Sequence, residues 1–199
     1  VYNARWVLER AIRDHAMQID KERVKVASLQ LKTFLQYIQN AESKEQLRGY
    51  EGEAASIYFS VFDELILQQK KDFSFHGRSK RPPMDNVNAM LSFVYTLLTN
   101  QITSALESVG LDPCVGYLHT ERPGRASLAL DLIEEFRAVY ADRFVLSLIN
   151  KKIVNKKNFT KKENGAVLMD DDLRKKLLME WQNKKKEVIT HPFLKEKVE

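Results

Sequence analysis

Three short segments of this chain carry side chains that could do metal or acid–base chemistry. A Gly-Tyr-Glu-Gly segment offers Glu51, a Gly-Tyr-Leu-His-Thr segment offers His119, and a leucine-rich segment offers Asp131 and Glu134. Carboxylate oxygens together with an imidazole nitrogen are natural ligands for a divalent cation. We therefore expect metal-dependent chemistry on phosphates if the fold brings these segments together, and three ordinary pieces of a helical protein if it does not.

Each of these residues also has a simpler interpretation. Glu51 lies where a helix is predicted to begin, so its charge could merely favour the helix dipole, and Glu53 faces nearly the opposite way. A lone histidine such as His119, placed between an apolar run and a turn, is more often a hydrogen-bonded structural group. Asp131 and Glu134 are three residues apart, hence neighbours on a helix surface, and could be two solvated acids. Spacing alone leaves these alternatives open.

The other histidines have no comparable surroundings in the sequence. His15, His76 and His191 have no acid or glycine pattern beside them that suggests a site. We interpret them as structural or surface groups.

The elements that must position the candidate residues are predicted to be helices. The chain has only 7 glycines and 5 prolines in 199 residues, and its apolar residues recur with the helical period. The predicted helices cover approximately residues 4–15, 24–38, 51–69, 86–109, 127–136 and 170–186. The expected fold is all-α, a single bundle-like domain over 1–199 with at most a short strand-like connector at 114–118.

Helix boundaries can be predicted from capping residues. Asp85 and Ser127 each precede an apolar periodic stretch and are expected to be N-caps, and Gly110 is expected to end a long helix. The next helix is expected to bury Leu128, Leu132 and Phe136. The acidic run that begins at Asp170 is expected to open the last helix. Residues 68–83 lose the helical period and indicate a loop.

Positive charge is concentrated in two stretches. The net charge is +5, and residues 151–162 hold six lysines and no acid. Residues 151–165 are therefore expected to form a basic loop or linker within the domain. A second cluster at 78–81 precedes two prolines that stiffen the chain. Either stretch could be a solvated face, but both would suit a polyanion.

Composition excludes several other classes of protein. Cys114 is the only cysteine, so the chain has no internal disulfide, and we expect a reducing, cytoplasmic setting. No stretch approaches the roughly 18 unbroken apolar residues that a membrane span needs, so no membrane partner is expected.

The three segments, in this order, resemble the catalytic domain of the CRISPR-associated spacer-acquisition integrase, the metal-dependent nuclease of CRISPR adaptation. That family has a Gly-x-Glu-Gly element, matched by Glu51, and a histidine after an apolar run, matched by His119. It also has an acidic pair on the following helix, matched by Asp131 and Glu134. A basic Pro-Pro segment followed by an Asn-containing helix is matched by residues 78–83 with the asparagine at position 88.

The resemblance implies a set of metal ligands. Glu51, His119 and Glu134 would bind Mn²⁺ or Mg²⁺, and Asp131 would act as an auxiliary acid or would support a ligand. The implied reaction is insertion of spacer DNA into a repeat array by 3′-hydroxyl attack on a phosphodiester, or DNA cleavage when water attacks.

The resemblance also implies DNA contacts and protein partners. The candidates for holding DNA phosphates are Arg78, Lys80, Arg81, Arg122 and Arg125. The implied partners are double-stranded DNA, a companion small CRISPR adaptation subunit and, for full-length members, a second copy of the protein. Members usually begin with a β-rich domain that helps to form the dimer, and no segment here has that pattern. The alternative function is a non-catalytic helical DNA-binding or assembly module.

Overall fold

The computed structural model describes residues 1–120, 122–190 and 197–198, with no side-chain description for 189, 190, 197 and 198. His191 lies outside the described residues. The helices are α1 (Tyr2–His15), α2 (Lys21–Gln39), α3 (Lys44–Ser60), α4 (Asn86–Ser108), α5 (Ser127–Phe136), α6 (Arg143–Asn150) and α7 (Asp171–Lys185). The strands are β1 (Phe159–Lys161), β2 (Val167–Met169), β3 (Ile189–Thr190) and β4 (Lys197–Val198). The prediction of a mainly α-helical fold is confirmed.

The first three helices pack one after another, α1 on α2 and α2 on α3. The faces that they bury carry the apolar residues that recur with the helical period in the sequence. Val7 and Leu8 of α1 and Val24 and Leu31 of α2 are 5% exposed or less. Helical periodicity alone therefore predicted how α1 and α2 face the core.

Helix α4 lies at the centre and contacts α5, α6 and β2. Its N-cap is Asp85, as predicted, and the Asp85 side chain accepts a hydrogen bond from the Asn88 backbone N–H at 2.7 Å. Gly110 follows its end with a φ of 78°, a left-handed conformation that a residue with a side chain adopts at a cost. Asp170 caps α7 in the same way as Asp85 caps α4.

Helices α5 and α6 are joined by a π-helical segment at Arg137–Asp142, so that 127–150 form one continuous helical stretch. The prediction that Ser127 is the N-cap is wrong, because Ser127 is the first helical residue and its hydroxyl donates to the Thr120 carbonyl at 3.2 Å. The predicted apolar stripe is also rotated: Phe136 is 47% exposed, whereas Ile133 is buried.

Helix α3 starts earlier than the sequence pattern suggested. Ser43 caps it by accepting a hydrogen bond from the Gln46 N–H, so Glu51 lies in the middle of the helix rather than at its start. The dipole interpretation of Glu51 is therefore wrong. The helix ends at Ser60 and a 3₁₀ turn follows at 62–65, whereas one helix was predicted to continue to residue 69.

The stretch 151–165, predicted to be a basic loop, contains a 3₁₀ turn at Lys156–Asn158 and the strand β1. Strand β1 pairs antiparallel with β2, and Phe159 lies opposite Met169. The Val167 N–H donates to the Pro83 carbonyl at 2.9 Å, so this hairpin is tied to the proline-stiffened loop. A short hairpin such as this depends on tertiary contacts, which a local sequence pattern does not contain. The predicted strand-like connector at 114–118 forms no strand.

Candidate metal and nucleic-acid site

Glu51 and Glu134 line the same small cavity. Glu51 comes from α3 and Glu134 from α5, and the cavity between them has a volume of about 140 Å³. Tyr58, Arg137 and Asp142 also line it. Two of the three predicted metal ligands are therefore brought together from separate helices.

The cavity is electrostatically unfavourable for a second negative charge. The pKa of Glu134 is raised to about 7, chiefly by burial and in part by the Glu51 carboxylate, while the charges of Arg137 and Lys80 oppose the rise. Arg137, one helical turn along, forms an ion pair with Glu134. A divalent cation would offset the repulsion between the Glu51 and Glu134 carboxylates more effectively than the single positive charge of Arg137.

His119 lies in the loop between α4 and α5, and Asp131 holds it there. One Asp131 oxygen accepts from the His119 backbone N–H at 2.9 Å and lies 2.7 Å from the ring Nδ1. The other accepts from the backbone N–H groups of Tyr117 at 2.6 Å and Leu118 at 3.1 Å. This contact uses Nδ1 and leaves Nε2 of the imidazole as the nitrogen available to a ligand.

The same hydrogen bonds keep Asp131 ionised. Burial alone would raise the pKa of Asp131, but the bonds from the His119 ring and from three backbone N–H groups hold it below its ordinary value. Asp131 is thus fully used in orienting the loop. The sequence left open whether this residue binds metal directly, and these contacts favour the supporting part.

Close packing also fixes the position of this loop. A Cβ at Gly116 would lie 2.6 Å from the Ser127 Cβ and 3.1 Å from an Asp131 carboxylate oxygen. Only glycine permits this approach of the loop to α5. On the opposite side, the Arg48 side chain of α3 donates to the Leu118 carbonyl and to the Thr120 hydroxyl.

A buried acid that the sequence analysis missed lies at the end of the π-helical segment. Asp142 is fully buried and accepts a hydrogen bond from the Tyr95 hydroxyl. Burial raises the pKa of Asp142 to about 6, and Tyr95 and Arg137 oppose that rise. The sequence carried no signal for Asp142, since an acid beside arginines on a helix usually indicates a solvent-exposed ion pair.

A larger basic cleft of about 1020 Å³ adjoins the small cavity, and Arg137 lies in the wall of both. The predicted phosphate ligands Arg78, Lys80 and Arg81 line this cleft, together with Arg23. Cationic side chains on several walls suit an extended polyanion. The sequence missed Arg23, which comes from α2.

The side chains of the predicted basic residues differ in their burial and in the contacts that hold them. Arg78 is held by Asn88 at 2.6 Å and by Ser92 at 3.0 Å, and it lies over the Tyr95 ring, so it is part of the cleft wall. Burial lowers the pKa of Lys80, and the Arg137 and Arg78 charges lower it further. Arg81 is exposed.

Arg122 and Arg125 lie in the turn between His119 and α5. Arg122 is exposed, and the Arg125 N–H donates to the Arg122 carbonyl at 3.0 Å. Both arginines are therefore close to the histidine in sequence, and their contact with DNA phosphates stays a prediction.

The donor set suits a divalent ion, although the described residues do not form a closed cage. Within that part of the chain, no three acidic, histidine or cysteine side chains are gathered closely enough to hold a metal ion together. Glu51 and Glu134 share a cavity, and His119 lies on the neighbouring loop with its ring oriented by Asp131. Two carboxylates and an imidazole are suitable donors for a divalent cation, and a cation would offset the unfavourable negative charge of Glu134.

A helical domain with two carboxylates and an oriented imidazole beside a basic cleft is an arrangement found in metal-dependent proteins that act on polyanions. The profile of the family described as CRISPR associated protein Cas1 matches residues 1–183. The chain belongs to the Cas1 family, which confirms the resemblance inferred from the motifs.

Several curated relatives are similar over nearly the whole chain. A CRISPR-associated endonuclease Cas1 of Chlorobaculum tepidum is 54% identical over 98% of this chain and 57% of its own length. One of Rhodospirillum rubrum is 52% identical over 98% of this chain and 58% of its length, and one of Leptospira interrogans is 47% identical over 96% and 75%. The chain thus spans somewhat more than half the length of the first two.

Solved structures share the fold. A casposase bound to integration product has a TM-score of 0.79 and 27% identity, covering 96% of this chain and 51% of the casposase. A Cas1 protein from Thermotoga maritima has a TM-score of 0.73 and 28% identity, covering 90% and 56%. In the described part of the chain no helix is both long and apolar enough to cross a membrane.

Proposed function

We propose that this chain provides the catalytic centre of a metal-dependent DNA endonuclease and integrase of CRISPR adaptation. The observation that carries the proposal is the cavity shared by Glu51 and Glu134, which adjoins a cleft lined by arginines and lysine. A carboxylate pair beside a polyanion cleft matches the needs of phosphodiester chemistry.

In this proposal Glu51, Glu134 and His119 hold Mn²⁺ or Mg²⁺, and His119 binds through Nε2. Such an ion, when bound, polarises a phosphoryl oxygen and lowers the pKa of an attacking hydroxyl. Asp131 keeps the imidazole in one orientation through Nδ1, which also fixes the tautomer that presents Nε2. A neutral imidazole among the ligands favours Mn²⁺ relative to Mg²⁺.

The basic residues bind DNA. Arg81 and Lys80 contact backbone phosphates from the cleft wall, and Arg122 and Arg125 do so beside the histidine. Arg78 keeps the wall in shape through Asn88 and Ser92, and its charge adds to the field of the cleft.

Partners follow from the family and from the longer relatives. We propose that double-stranded DNA is the substrate, that a 3′-hydroxyl on the incoming DNA is the nucleophile for integration, and that water replaces it for cleavage. A companion small adaptation subunit and a second copy of the protein complete the assembly in this proposal.

The test is a nicking and strand-transfer assay with defined DNA. We expect activity that requires Mn²⁺ or Mg²⁺ and that is abolished in Glu51→Ala and His119→Ala, while circular dichroism and the melting temperature show a folded protein. Glu53→Ala, on the far side of α3, is the matched control and should retain activity. Full activity in a well-folded Glu51→Ala or His119→Ala variant would contradict the proposal.

One observation favours a second candidate, a non-catalytic DNA-binding or assembly module. Glu134 already has Arg137 as its counter-charge, and within the described residues no assembled three-ligand metal group is present. A pure binding module would show salt-dependent DNA affinity but no increase in melting temperature with Mn²⁺. A bound ion must stabilise the folded state by mass action.

A further inference from the structure

The loop that carries His119 is held from two sides by side chains of two different helices. Asp131 of α5 accepts from the backbone N–H groups of residues 117, 118 and 119. A carbonyl and a hydroxyl group of the same loop also accept hydrogen bonds from outside the loop. Arg48 of α3 supplies them: its Nε donates to the Leu118 carbonyl at 2.9 Å and its Nη2 to the Thr120 hydroxyl.

Arg48 and Glu51 are three residues apart on α3, so their side chains are neighbours on one helical face. Helix α3 therefore places the Glu51 carboxylate in the cavity and, through Arg48, also holds the loop that carries the His119 imidazole. Asp131 and Glu134 have the same spacing on α5. Each helix thus pairs one proposed metal ligand with one residue that holds the His119 loop.

We propose that Arg48 is a positioning residue that fixes the distance between His119 and Glu51. This inference rests on the proposed function, because it assigns Arg48 to the site that binds the ion. Arg48 itself touches neither substrate nor metal in the proposal. Its guanidinium bridges two acceptors on the loop through two different nitrogens, which a lysine ammonium at one point cannot reproduce.

The position of Arg48 also allows a competing explanation, in which this exposed arginine simply contacts a DNA phosphate. The two explanations predict different kinetics. A positioning residue affects kcat and metal affinity and leaves the KM for DNA unchanged. A phosphate contact raises the KM and lowers the salt dependence of DNA binding.

The experiment compares Arg48→Ala, Arg48→Lys and Thr120→Val, with Lys44→Ala as a control that removes one charge from the same helix. Two measurements are made on each variant. Amide hydrogen exchange of residues 117–119 reports on the loop without metal or DNA. Mn²⁺ affinity and strand-transfer kcat and KM report on the site.

We expect the loop amides of Arg48→Ala to exchange about 10-fold faster than in the wild type, with kcat and Mn²⁺ affinity about 10-fold lower and KM unchanged. Arg48→Lys should recover only part of this. Thr120→Val should have a smaller effect, because it removes only the hydrogen bond between Arg48 and Thr120. That effect should disappear in the Arg48→Ala background, where the same hydrogen bond is already lost. Lys44→Ala should match the wild type.

Loop exchange equal to that of the wild type in Arg48→Ala would overturn the proposal, and so would a change confined to KM and salt dependence. If the wild-type protein binds no Mn²⁺, the proposed function fails, and with it the part played by Arg48 in a metal site. In that case the hydrogen-exchange result still shows whether Arg48 holds the loop.

Discussion

The His119 loop and the Glu51–Glu134 cavity lie side by side but are stabilised in opposite ways. In the loop, one carboxylate accepts three backbone hydrogen bonds and a ring contact, and its pKa is held low. In the cavity, a carboxylate is buried near another, and its pKa is raised to about 7. The loop is held in place without a ligand, whereas ionisation of Glu134 in the cavity costs free energy even with Arg137 beside it.

The loop and the cavity would therefore contribute to cation binding in different ways. Hydrogen bonds orient the imidazole, so that little conformational freedom remains to be lost on binding. The two carboxylates of the cavity repel each other, and a cation bound between them would remove that repulsion. Mutations in the loop should therefore lower stability, whereas neutralising an acid in the cavity should raise it.

The largest effect on stability is expected from Asp131→Asn. The variant loses a charged acceptor for three backbone N–H groups, and hydrogen bonds to charged groups contribute about 1.5–3 kcal/mol each. We expect urea denaturation to show a loss of about 3 kcal/mol. Asp112→Asn, where one carboxylate oxygen accepts a single backbone bond from Cys114, is the control and should lose less than about 1 kcal/mol. Equal losses in the two variants would mean that the Asp131 contacts do not organise the loop.

The next effect is expected from Gly116→Ala. The new Cβ would overlap backbone and side-chain atoms of Ser127, which cannot move without displacing α5. We expect a loss of about 2 kcal/mol in thermal or urea unfolding. Gly49→Ala in α3 meets no atom within 4 Å and should instead stabilise the protein by about 0.5–1 kcal/mol. Loss of stability in both variants would remove the distinction between a packed and an open glycine.

The cavity should respond in the opposite direction to Glu134→Gln. The folded state holds the Glu134 proton up to a pKa of about 7, whereas the ordinary value is 4.5. Between these values the folded state binds more protons than the unfolded state, so stability falls as the pH rises. We expect Glu134→Gln to be about 1–2 kcal/mol more stable than the wild type at pH 8 and equal to it near pH 4.

Glu135→Gln is the matched control for that experiment, because Glu135 is exposed. Its stability should follow that of the wild type at both pH values. A Glu134→Gln variant that is less stable at pH 8 would show that the ion pair with Arg137 outweighs the repulsion from Glu51. The loop and the cavity would then both be stabilised by the contacts of an ionised carboxylate.

The smallest effect on stability is expected in the basic stretch 157–162, which includes β1 and belongs to neither region. Lys157, Lys161 and Lys162 are exposed, whereas Lys156 is paired with Asp72 at 2.9 Å. Replacing the three exposed lysines with glutamine should change stability by less than about 0.5 kcal/mol. It should lower the slope of log affinity against log salt for duplex DNA by up to about 0.9 per lost contact. An unchanged slope would exclude this basic stretch from the proposed DNA interface.

Local patterns in the sequence predicted much of the fold. Asp85 caps α4 and the acidic run that begins at Asp170 opens α7, both as expected, because a helix start depends on a few adjacent residues. The start of α3 was missed although Ser43 and Gln46 carry a capping signal, since the glycines around Glu51 suggested a boundary there. The π-helical segment and the hairpin depend on packing between distant segments, which single-sequence patterns do not contain.

The residues of the proposed site follow from their types and from the resemblance, whereas the contacts that hold them do not follow from the sequence. Resemblance identified Glu51, His119, Asp131 and Glu134, and the structure brings the two glutamates to one cavity. The contacts of Arg48 join residues about 70 positions apart in the chain, and no local pattern reveals them.

The most direct test of the central claim is a calorimetric titration of the protein with Mn²⁺ at pH 6 and pH 8. We expect one bound ion, tighter binding at pH 8 because Glu134 must lose its proton, and release of protons on binding. Binding should be lost in Glu51→Gln, Glu134→Gln and His119→Ala and should persist in Glu135→Gln. Wild-type affinity in the first three variants, or no difference between the two pH values, would contradict the account.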